Sequence, residues 1–232
     1  AGTAAAPAKV ILFGEHFVVY GEPTAVMAID KRAFATVKPR KDEKIHIDSV
    51  DMRASGTFKG VKFQAEKGGA KAQLKLEPVK NAVQQALAAV DKKTGLDVTI
   101  NSDIPVSAGL GSSAAVATSA IMATSHLLGA ELSREQIFRL AYESERLVHG
   151  TPSGIDPAIA TYGGTLQFQK GKDFDSLNVE TNVPLVIGNT EVERSTGELV
   201  AGVRHMMERH RYIIEPVMQT GGRIASLAVE AL

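Results

Sequence analysis

The chain has 232 residues, and its 26 lysines and arginines balance 26 aspartates and glutamates, so the formal net charge is zero. This neutrality argues against nucleic acid or another extended polyanion as a partner. Cysteine is absent, which excludes disulfides, thiol catalysis and cysteine-ligated metals. No apolar run is long enough to span a bilayer, and the first residues lack the basic segment of a signal peptide. We therefore expect a cytoplasmic protein that does not bind membranes.

The first third of the chain is typical of strands separated by turns. Apolar runs at residues 9–13, 24–29 and 33–37 predict three strands. The stretch 38–72 is rich in charged residues and predicts an exposed, hairpin-like region with a mobile loop at Gly68 and Gly69. No repeat or low-complexity segment interrupts this part of the chain.

Helical periodicity appears in the middle of the chain. Apolar residues at three- and four-residue spacing predict a helix that begins near Leu76 and that Gly95 would end. Ser133 and Gln136 form the pattern of a capping box and predict a helix start. Further predicted elements are strands at 97–101 and 163–168 and helices at 196–207 and 213–232. Because strands and helices do not alternate regularly, we expect an α+β fold.

Residues 105–115 read Pro-Val-Ser-Ala-Gly-Leu-Gly-Ser-Ser-Ala-Ala, directly after a predicted strand. Gly109 and Gly111 permit a positive φ and a close backbone approach. Ser112 and Ser113 begin a predicted helix whose free N–H groups and dipole suit the phosphates of a nucleotide. The spacing is not that of a P-loop with its lysine. Taken alone, the pattern is as typical of a tight turn with a serine cap.

Several other residues could carry chemistry, but each also has a simpler interpretation. Lys9 at a strand start and Glu145 on an amphipathic helix are typical of solvated charges. Glu15 and His16 could hydrogen-bond a turn. Asp156 precedes a proline, which is the pattern of a helix N-cap. None of these residues indicates a function by itself.

Together, however, these segments resemble the GHMP kinases and, among them, the mevalonate kinases of the compact archaeal type. The matching segments are Ala-Pro-Ala-Lys-Val-Ile-Leu-Phe-Gly-Glu-His at 6–16, Val-Val-Tyr-Gly at 18–21, Gly-Leu-Gly-Ser-Ser-Ala at 109–114, Glu-Arg-Leu-Val-His-Gly-Thr-Pro-Ser-Gly-Ile-Asp at 145–156, and Arg-Ser-Thr with Glu-Leu-Val-Ala-Gly-Val-Arg within 194–204. Homoserine kinases and galactokinases share the glycine-serine segment. The first and fourth segments are more specific to mevalonate kinases.

The resemblance implies a fold and an activity. It implies an N-terminal ATP-binding domain at 1–178, similar to domain 2 of ribosomal protein S5. A partial, ferredoxin-like C-terminal domain would occupy 179–232. The implied reaction is the ATP-dependent phosphorylation of mevalonate to 5-phosphomevalonate, in isoprenoid precursor biosynthesis. ATP and Mg²⁺ are the implied cofactors, and a homodimer is expected by analogy with the family.

The resemblance also implies roles for individual residues. The phosphates would be bound by the loop of Ser107, Ala108, Gly109, Leu110, Gly111, Ser112 and Ser113. Mg²⁺ would be held by Ser113 and Glu145. Asp156 and Lys9 would be catalytic, and the sequence leaves open whether Asp156 removes a proton or orients the hydroxyl. The substrate would be contacted by Glu15, His16, Val148, Arg194 and Thr196.

One family motif has no counterpart in this sequence. The family carries a third, glycine-rich segment near its C-terminus, and the nearest candidate here, residues 220–222, lies inside a predicted helix. We expect that a portion of the protein is missing from the sequence, rather than that the chain is a natural short form with impaired catalysis.

Two alternatives to a mevalonate kinase follow from the same residues. The first is a related kinase, such as a phosphomevalonate or homoserine kinase, which would share the phosphate loop. The second is a nucleotide- or metabolite-binding protein that has lost activity, which the absent third motif would favour. A related decarboxylase fits less well, because those enzymes lack a lysine at the position of Lys9.

Overall fold

The computed structural model describes residues 1–105, 108–149, 152–172, 174–179, 184–189 and 196–232, without the side chains of residues 148, 149 and 196. Of the predicted site residues, Ser107 and Arg194 lie outside the described residues. The side chains of Val148 and Thr196 also lie outside them, although both residues fall in helices.

The described residues form strands and helices along the whole chain. The strands are β1 (Gly2–Phe13), β2 (Thr24–Arg40), β3 (Ile45–Ser49), β4 (Ala54–Lys59), β5 (Lys62–Lys67), β6 (Gly95–Ser102), β7 (Thr165–Phe168) and β8 (Asp175–Leu177). The α-helices are α1 (Ala72–Ala89), α2 (Ser112–Leu127), α3 (Arg134–His149), α4 (Ile155–Tyr162), α5 (Thr196–Arg209) and α6 (Arg211–Ala231). Short 3₁₀ helices cover His16–Tyr20 and Gly69–Lys71.

One sheet contains all these strands, in the order β5-β4-β3-β6-β2-β7-β8, with β1 paired to β2 outside this path. Only the β3–β6 pair is parallel among the described pairings. β2 is central, because β1 covers one of its edges while β6 and β7 share the other, along residues 33–40 and 24–27. The mixed sheet confirms the α+β class.

The two strands expected at 24–29 and 33–37 are one strand, β2. The prediction placed a break at the charged residues between the two runs. In the structure these residues form a bulge within one continuous strand. Pro7 pairs with Arg32 while Ala8 pairs with Ile29, so Asp30 and Lys31 bulge outward. Both bulged residues are exposed, and their charges therefore stay in water while the ladder continues.

The hairpin-like region expected at 38–72 forms the antiparallel strands β3, β4 and β5. A 3₁₀ helix, Gly69–Lys71, follows Gly68, and the mobility of this loop stays a prediction. In β3, Ile45 and Ile47 alternate with more exposed residues and are buried. Phe58 of β4 is buried and stacks on Phe63 of β5, with ring centroids 4.6 Å apart. The alternation was there in the sequence, but the many lysines obscured it. Gly95 begins β6 rather than ending α1, which stops at Ala89.

Helices α1 to α4 pack together and cover the sheet, with α2 against β1 and β2. The core between them is aliphatic and alanine-rich, and α2 contributes alanines at 114, 115, 117, 120 and 123. These small side chains let α2 approach β1 closely. A Cβ on Gly2 would lie 2.0 Å from the carbonyl oxygen of Ala123, so only glycine fits there.

A second core joins the 3₁₀ helix His16–Tyr20 to α4, β2 and β7. Its buried residues are Val18, Val26, Ile155, Ala158, Ile159, Leu166 and Phe168. The capping box is confirmed, because the Ser133 amide donates to Gln136 Oε1 and the Gln136 amide donates to Ser133 Oγ. Among the described residues, no helix has the length and apolar character needed to cross a membrane. The domain boundary at 178/179 stays a prediction.

Candidate active site

The glycine loop ends where α2 begins. Gly111 is the residue before the helix and has a φ of 72°, a left-handed value that glycine adopts without strain. The Ala115 amide donates to the Gly111 carbonyl in the first turn, whereas the amides of Ser112 and Ser113 precede that bond and have no helical acceptor. No acidic side chain lies in the first turn. The helix start therefore presents free donors and a positive dipole end to an anion.

Lys9 lies directly beneath this loop. Its backbone amide donates to the carbonyl of Leu110 at 2.9 Å, which fastens β1 to the loop. A Cβ built on Gly111 would lie 2.9 Å from Lys9 Cγ and 3.7 Å from Asp156 Cγ. The α-carbon of Gly111 thus packs on the stem of the lysine, and any side chain there would displace it.

The ammonium group of Lys9 is 3.4 Å from Oδ1 of Asp156. Lys9 is only 8% exposed, so the pair lies in a medium where charges interact more strongly than in bulk water. Asp156 Oδ2 has no hydrogen-bond partner within the described part of the chain, and the Asp156 side chain is 32% exposed. One carboxylate oxygen thus faces the lysine and the other is free to meet a ligand.

Asp156 is not a helix N-cap, although the following proline suggested it. α4 begins at Ile155 after Gly154, which is the N-cap residue with a φ of 93°. Asp156 therefore lies in the first turn, where its negative charge is favoured by the helix dipole. Because the helix begins after Gly154, the Asp156 carboxylate contacts Lys9 and does not cap the amides of its own helix.

Glu145 is a buried acid on α3, 8% exposed. Burial, and after it the negative charge of Asp156, raise the pKa of its carboxyl group to about 8, while Lys9 opposes the shift. Glu145 is therefore close enough to sense both members of the ion pair. Two acids share one amine here, which leaves a buried carboxyl group without a full counter-charge.

The other predicted residues occupy different parts of this region. Ser113 is exposed and Ser112 half-buried at the start of α2. Glu15 is exposed and His16, half-buried, begins the 3₁₀ helix. Within the described residues, no hydrogen bond or ion pair joins Glu15 or His16 to the pair of Lys9 and Asp156. The structure therefore gathers Lys9, Asp156, Glu145 and the loop, and leaves Glu15 and His16 on an adjoining segment.

Comparison with known proteins gives this arrangement its context. The model of the GHMP kinases N terminal domain matches residues 78–164. A mevalonate kinase of Pyrococcus horikoshii is 43% identical over 232 residues, which cover 99% of this chain and 69% of that protein.

The chain belongs to the mevalonate kinase family of the GHMP kinases.

Solved structures agree with this assignment. A mevalonate kinase of L. major in complex with R-mevalonate has a TM-score of 0.77 and 25% identity, covering 100% of this chain and 69% of that one. For the Methanococcus jannaschii mevalonate kinase the TM-score is also 0.77, at 24% identity, with 99% of this chain and 73% of that chain covered. The GHMP kinase fold expected from the sequence is therefore confirmed.

Sequence reasoning missed one contact of this mevalonate kinase site. It treated Gly111 only as a flexible residue of the loop, whereas the structure also packs Gly111 against Lys9 and Asp156. Three segments far apart in the chain meet there, so no local pattern could reveal the contact. A glycine immediately before a helix was the one available signal.

The buried Glu145 predicts a pH-dependent stability in the absence of Mg²⁺ and nucleotide. Between pH 4.5 and 8 the folded protein keeps the Glu145 proton while the unfolded chain releases it, because the pKa is raised from 4.5 to about 8 on folding. The contribution of Glu145 to the free energy of unfolding is thus fully present below pH 4.5. It is lost as the pH rises towards and through 8, by up to about 1.4 kcal/mol per pH unit. Glu145→Gln removes this loss.

Urea unfolding at pH 5 to 8.5, with a chelator present, measures the difference between wild type and Glu145→Gln. Glu143→Gln is the control, because Glu143 lies on the same helix with a side chain that is 42% exposed. We expect the control to follow the wild type. Parallel pH profiles for wild type and Glu145→Gln would contradict the burial of this acid.

Proposed function

We propose that this protein transfers the γ-phosphoryl group of ATP to the primary hydroxyl of mevalonate, giving ADP and 5-phosphomevalonate. The observation that carries the proposal is the Lys9–Asp156 pair, 3.4 Å apart, packed against the loop that precedes α2. Family membership supports ATP as the phosphoryl donor. Because the reaction consumes ATP, we place it in the cytoplasm.

The loop and the start of α2 bind the phosphates in this proposal. Ala108, Gly109, Leu110 and Gly111 approach the anion with their backbone, and the free amides of Ser112 and Ser113 donate to it. Ser107 belongs to the same loop by its position in the sequence. Phosphoryl transfer depends chiefly on positioning and on electrostatic stabilisation of the transferred group. A helix start without acidic residues provides both.

Asp156 and Lys9 act on the other side of the transferred group. The hydroxyl oxygen attacks the γ-phosphorus, the bond to the ADP oxygen breaks, and the hydroxyl proton passes to Oδ2 of Asp156. Lys9 holds Oδ1 and stabilises the negative charge on the transferred oxygens. The ion pair fixes the direction of the free oxygen of Asp156.

The acidic residues also suit Mg²⁺. Glu145 is a buried oxygen donor without a full counter-charge, and the Ser113 hydroxyl is exposed at the helix start. In the described ranges, no group of three or more His, Cys, Asp or Glu side chains is placed so that it could hold a metal ion by itself. This donor set fits an ion that takes few protein ligands and completes its shell with phosphate oxygens and water. Bound there, Mg²⁺ would neutralise phosphate charge.

Mevalonate would approach from the segment that follows β1. Glu15 and His16 lie at the start of the 3₁₀ helix, which shares a buried core with α4, the helix of Asp156. Val148, near the end of α3, and Arg194 and Thr196, before and at the start of α5, complete the proposed substrate contacts by their sequence positions. The L. major relative was solved with R-mevalonate bound, which supports this class of substrate.

We also propose that the protein is a homodimer. Four large apolar side chains of α6, at positions 213, 217, 224 and 227, are 53–66% exposed. Their spacing places them on one face of the helix, and an exposed apolar stripe of this kind is typical of an interaction surface.

Asp156→Asn tests the catalytic assignment. The substitution preserves shape but removes the proton acceptor and the partner of Lys9, so we expect kcat to fall by about 10²–10⁴-fold with little change in nucleotide affinity. A coupled assay of ADP release with mevalonate measures turnover, and titration calorimetry measures nucleotide binding. Asp30→Asn is the control, because the Asp30 side chain is 98% exposed. Retention of kcat within tenfold would overturn the role of Asp156, and a wild type that binds nucleotide without turnover would favour the inactive binding protein.

Glu145→Gln tests the metal assignment. A neutral amide is a poor ligand for a hard cation, so we expect the Mg²⁺ concentration at half-maximal rate to rise at least about tenfold. The measurement is the initial rate against free Mg²⁺ at saturating ATP. Glu143→Gln should leave the curve in place. An unchanged Mg²⁺ requirement in Glu145→Gln would exclude this residue as a ligand.

Leu227→Lys tests the dimer. A charge in an apolar interface opposes association, so we expect sedimentation equilibrium to show a dimeric wild type and a variant whose dimer dissociates at micromolar concentrations. Leu74→Lys, on the exposed face of α1 at 75% exposure, should remain dimeric. A monomeric wild type would refute the proposal.

A further inference from the structure

The 3₁₀ helix His16–Tyr20 packs against α6. Its Val18, 3% exposed, also belongs to the buried core that contains Ile155 and Ala158 of α4. The segment begins with His16 and follows Glu15, the two residues to which we assign substrate contacts. The packing of this 3₁₀ helix against α6 and in the shared core with α4 therefore determines its orientation.

The contact with α6 is made at a glycine. A Cβ built on Gly221 would lie 2.2 Å from Cε2, 2.4 Å from Cδ2 and 2.5 Å from Cζ of Phe17. The aromatic ring thus occupies the space that any side chain at position 221 would need. The next residue, Gly222, meets Glu22 in the same way, with a Cβ 2.0 Å from Oε2 of that residue.

Backbone conformation does not explain these two glycines. Neither Gly221 nor Gly222 has a positive φ, and both lie inside a 21-residue helix. Glycine within a helix is less favourable than alanine. Both residues are buried, so the feature that distinguishes them is the close packing of Phe17 and Glu22. The two contacts differ, because the Glu22 carboxylate can swing away while the Phe17 ring moves only as a rigid body.

Phe17 cannot move without its neighbours in the turn. The Glu22 amide donates to the Phe17 carbonyl, and the Val18 amide donates to the Gly14 carbonyl. Gln169 Nε2 donates to the Gly21 carbonyl at 2.7 Å and fixes the end of the segment. His16 is the adjacent residue within this hydrogen-bonded turn, so a displacement of the Phe17 backbone would carry His16 and Glu15 with it.

We propose that Gly221 is a positioning residue for mevalonate: its lack of a side chain seats Phe17 on α6 and thereby sets the orientation of the turn that carries Glu15 and His16. This inference rests on the proposed function and deepens it. The nucleotide loop is fastened elsewhere, by the Lys9–Leu110 hydrogen bond and by the contact of Gly111 with Lys9. Gly221 should therefore affect mevalonate and not ATP.

Gly221→Ala is the direct test. We expect the KM and Kd for mevalonate to rise about tenfold, with the KM for ATP changed by less than about twofold and kcat by less than about threefold. An apolar groove of about 490 Å³ lies beside Phe17, lined also by Phe13, Val217 and Ile224. The groove leaves room for the ring and the turn that carries it to shift together, so the variant should fold. Equal changes in the mevalonate and ATP constants, or no change in either, would overturn the proposal.

Phe17→Ala separates positioning from general damage. Removing the ring eliminates the contact from the other side, so Phe17→Ala should also weaken mevalonate binding. In the Phe17→Ala background, Gly221→Ala should then add less than about twofold, because the ring that it displaces is gone. A full tenfold effect of Gly221→Ala in that background, or unchanged mevalonate affinity in Phe17→Ala alone, would refute the proposed route through Phe17.

Gly202→Ala is the matched control, because Gly202 is an exposed glycine of α5 and a Cβ there would meet nothing within 4 Å. We expect unchanged constants for both substrates. Wild-type turnover of mevalonate is measured in the same series. Its absence would refute the proposed function itself, whereas normal wild-type turnover with an unaltered Gly221→Ala variant would refute only the inference about Gly221.

Discussion

The ion pair between Lys9 and Asp156 is the interaction on which the site depends. It joins β1 to the first turn of α4, and Gly111 lies over it with no room for a side chain. Because Lys9 is buried, loss of either partner would leave a charge with poor solvation, which is strongly unfavourable. The same contact therefore holds three segments together and places an amine and a carboxylate beside the start of α2.

The scaffold brings these segments together through small residues. Alanines along α2 and the close approach at Gly2 allow the helix to lie directly on β1, so the loop before α2 reaches Lys9. The amide of Lys9 then fastens that loop through Leu110. Gly221 allows a comparable close approach of Phe17 to α6. Small residues thus permit close packing both at the loop before α2 and at the 3₁₀ helix His16–Tyr20.

The site contains two acidic side chains but only one amine, so its negative charge is not fully balanced. Glu145 and Asp156 share Lys9, and burial raises the pKa of Glu145 to about 8. A folded protein tolerates such an acid when a ligand supplies the missing positive charge, and this is the role that we propose for Mg²⁺. The arrangement sacrifices stability at neutral and alkaline pH in the free protein, and binding of the metal ion would restore it.

Local patterns in the sequence determined much of this protein. The glycine-serine loop, the capping box at Ser133 and the main helices follow from short-range chemistry, and the motifs indicated the family. Tertiary structure decided what depends on distant contacts. The bulge at Asp30 and Lys31 keeps β2 continuous because paired neighbours hold it. Asp156 meets Lys9 because α4 starts after Gly154, two residues earlier than the proline suggested. The packing of Gly111 and Gly221 could not be predicted, since each depends on a side chain more than 100 positions away.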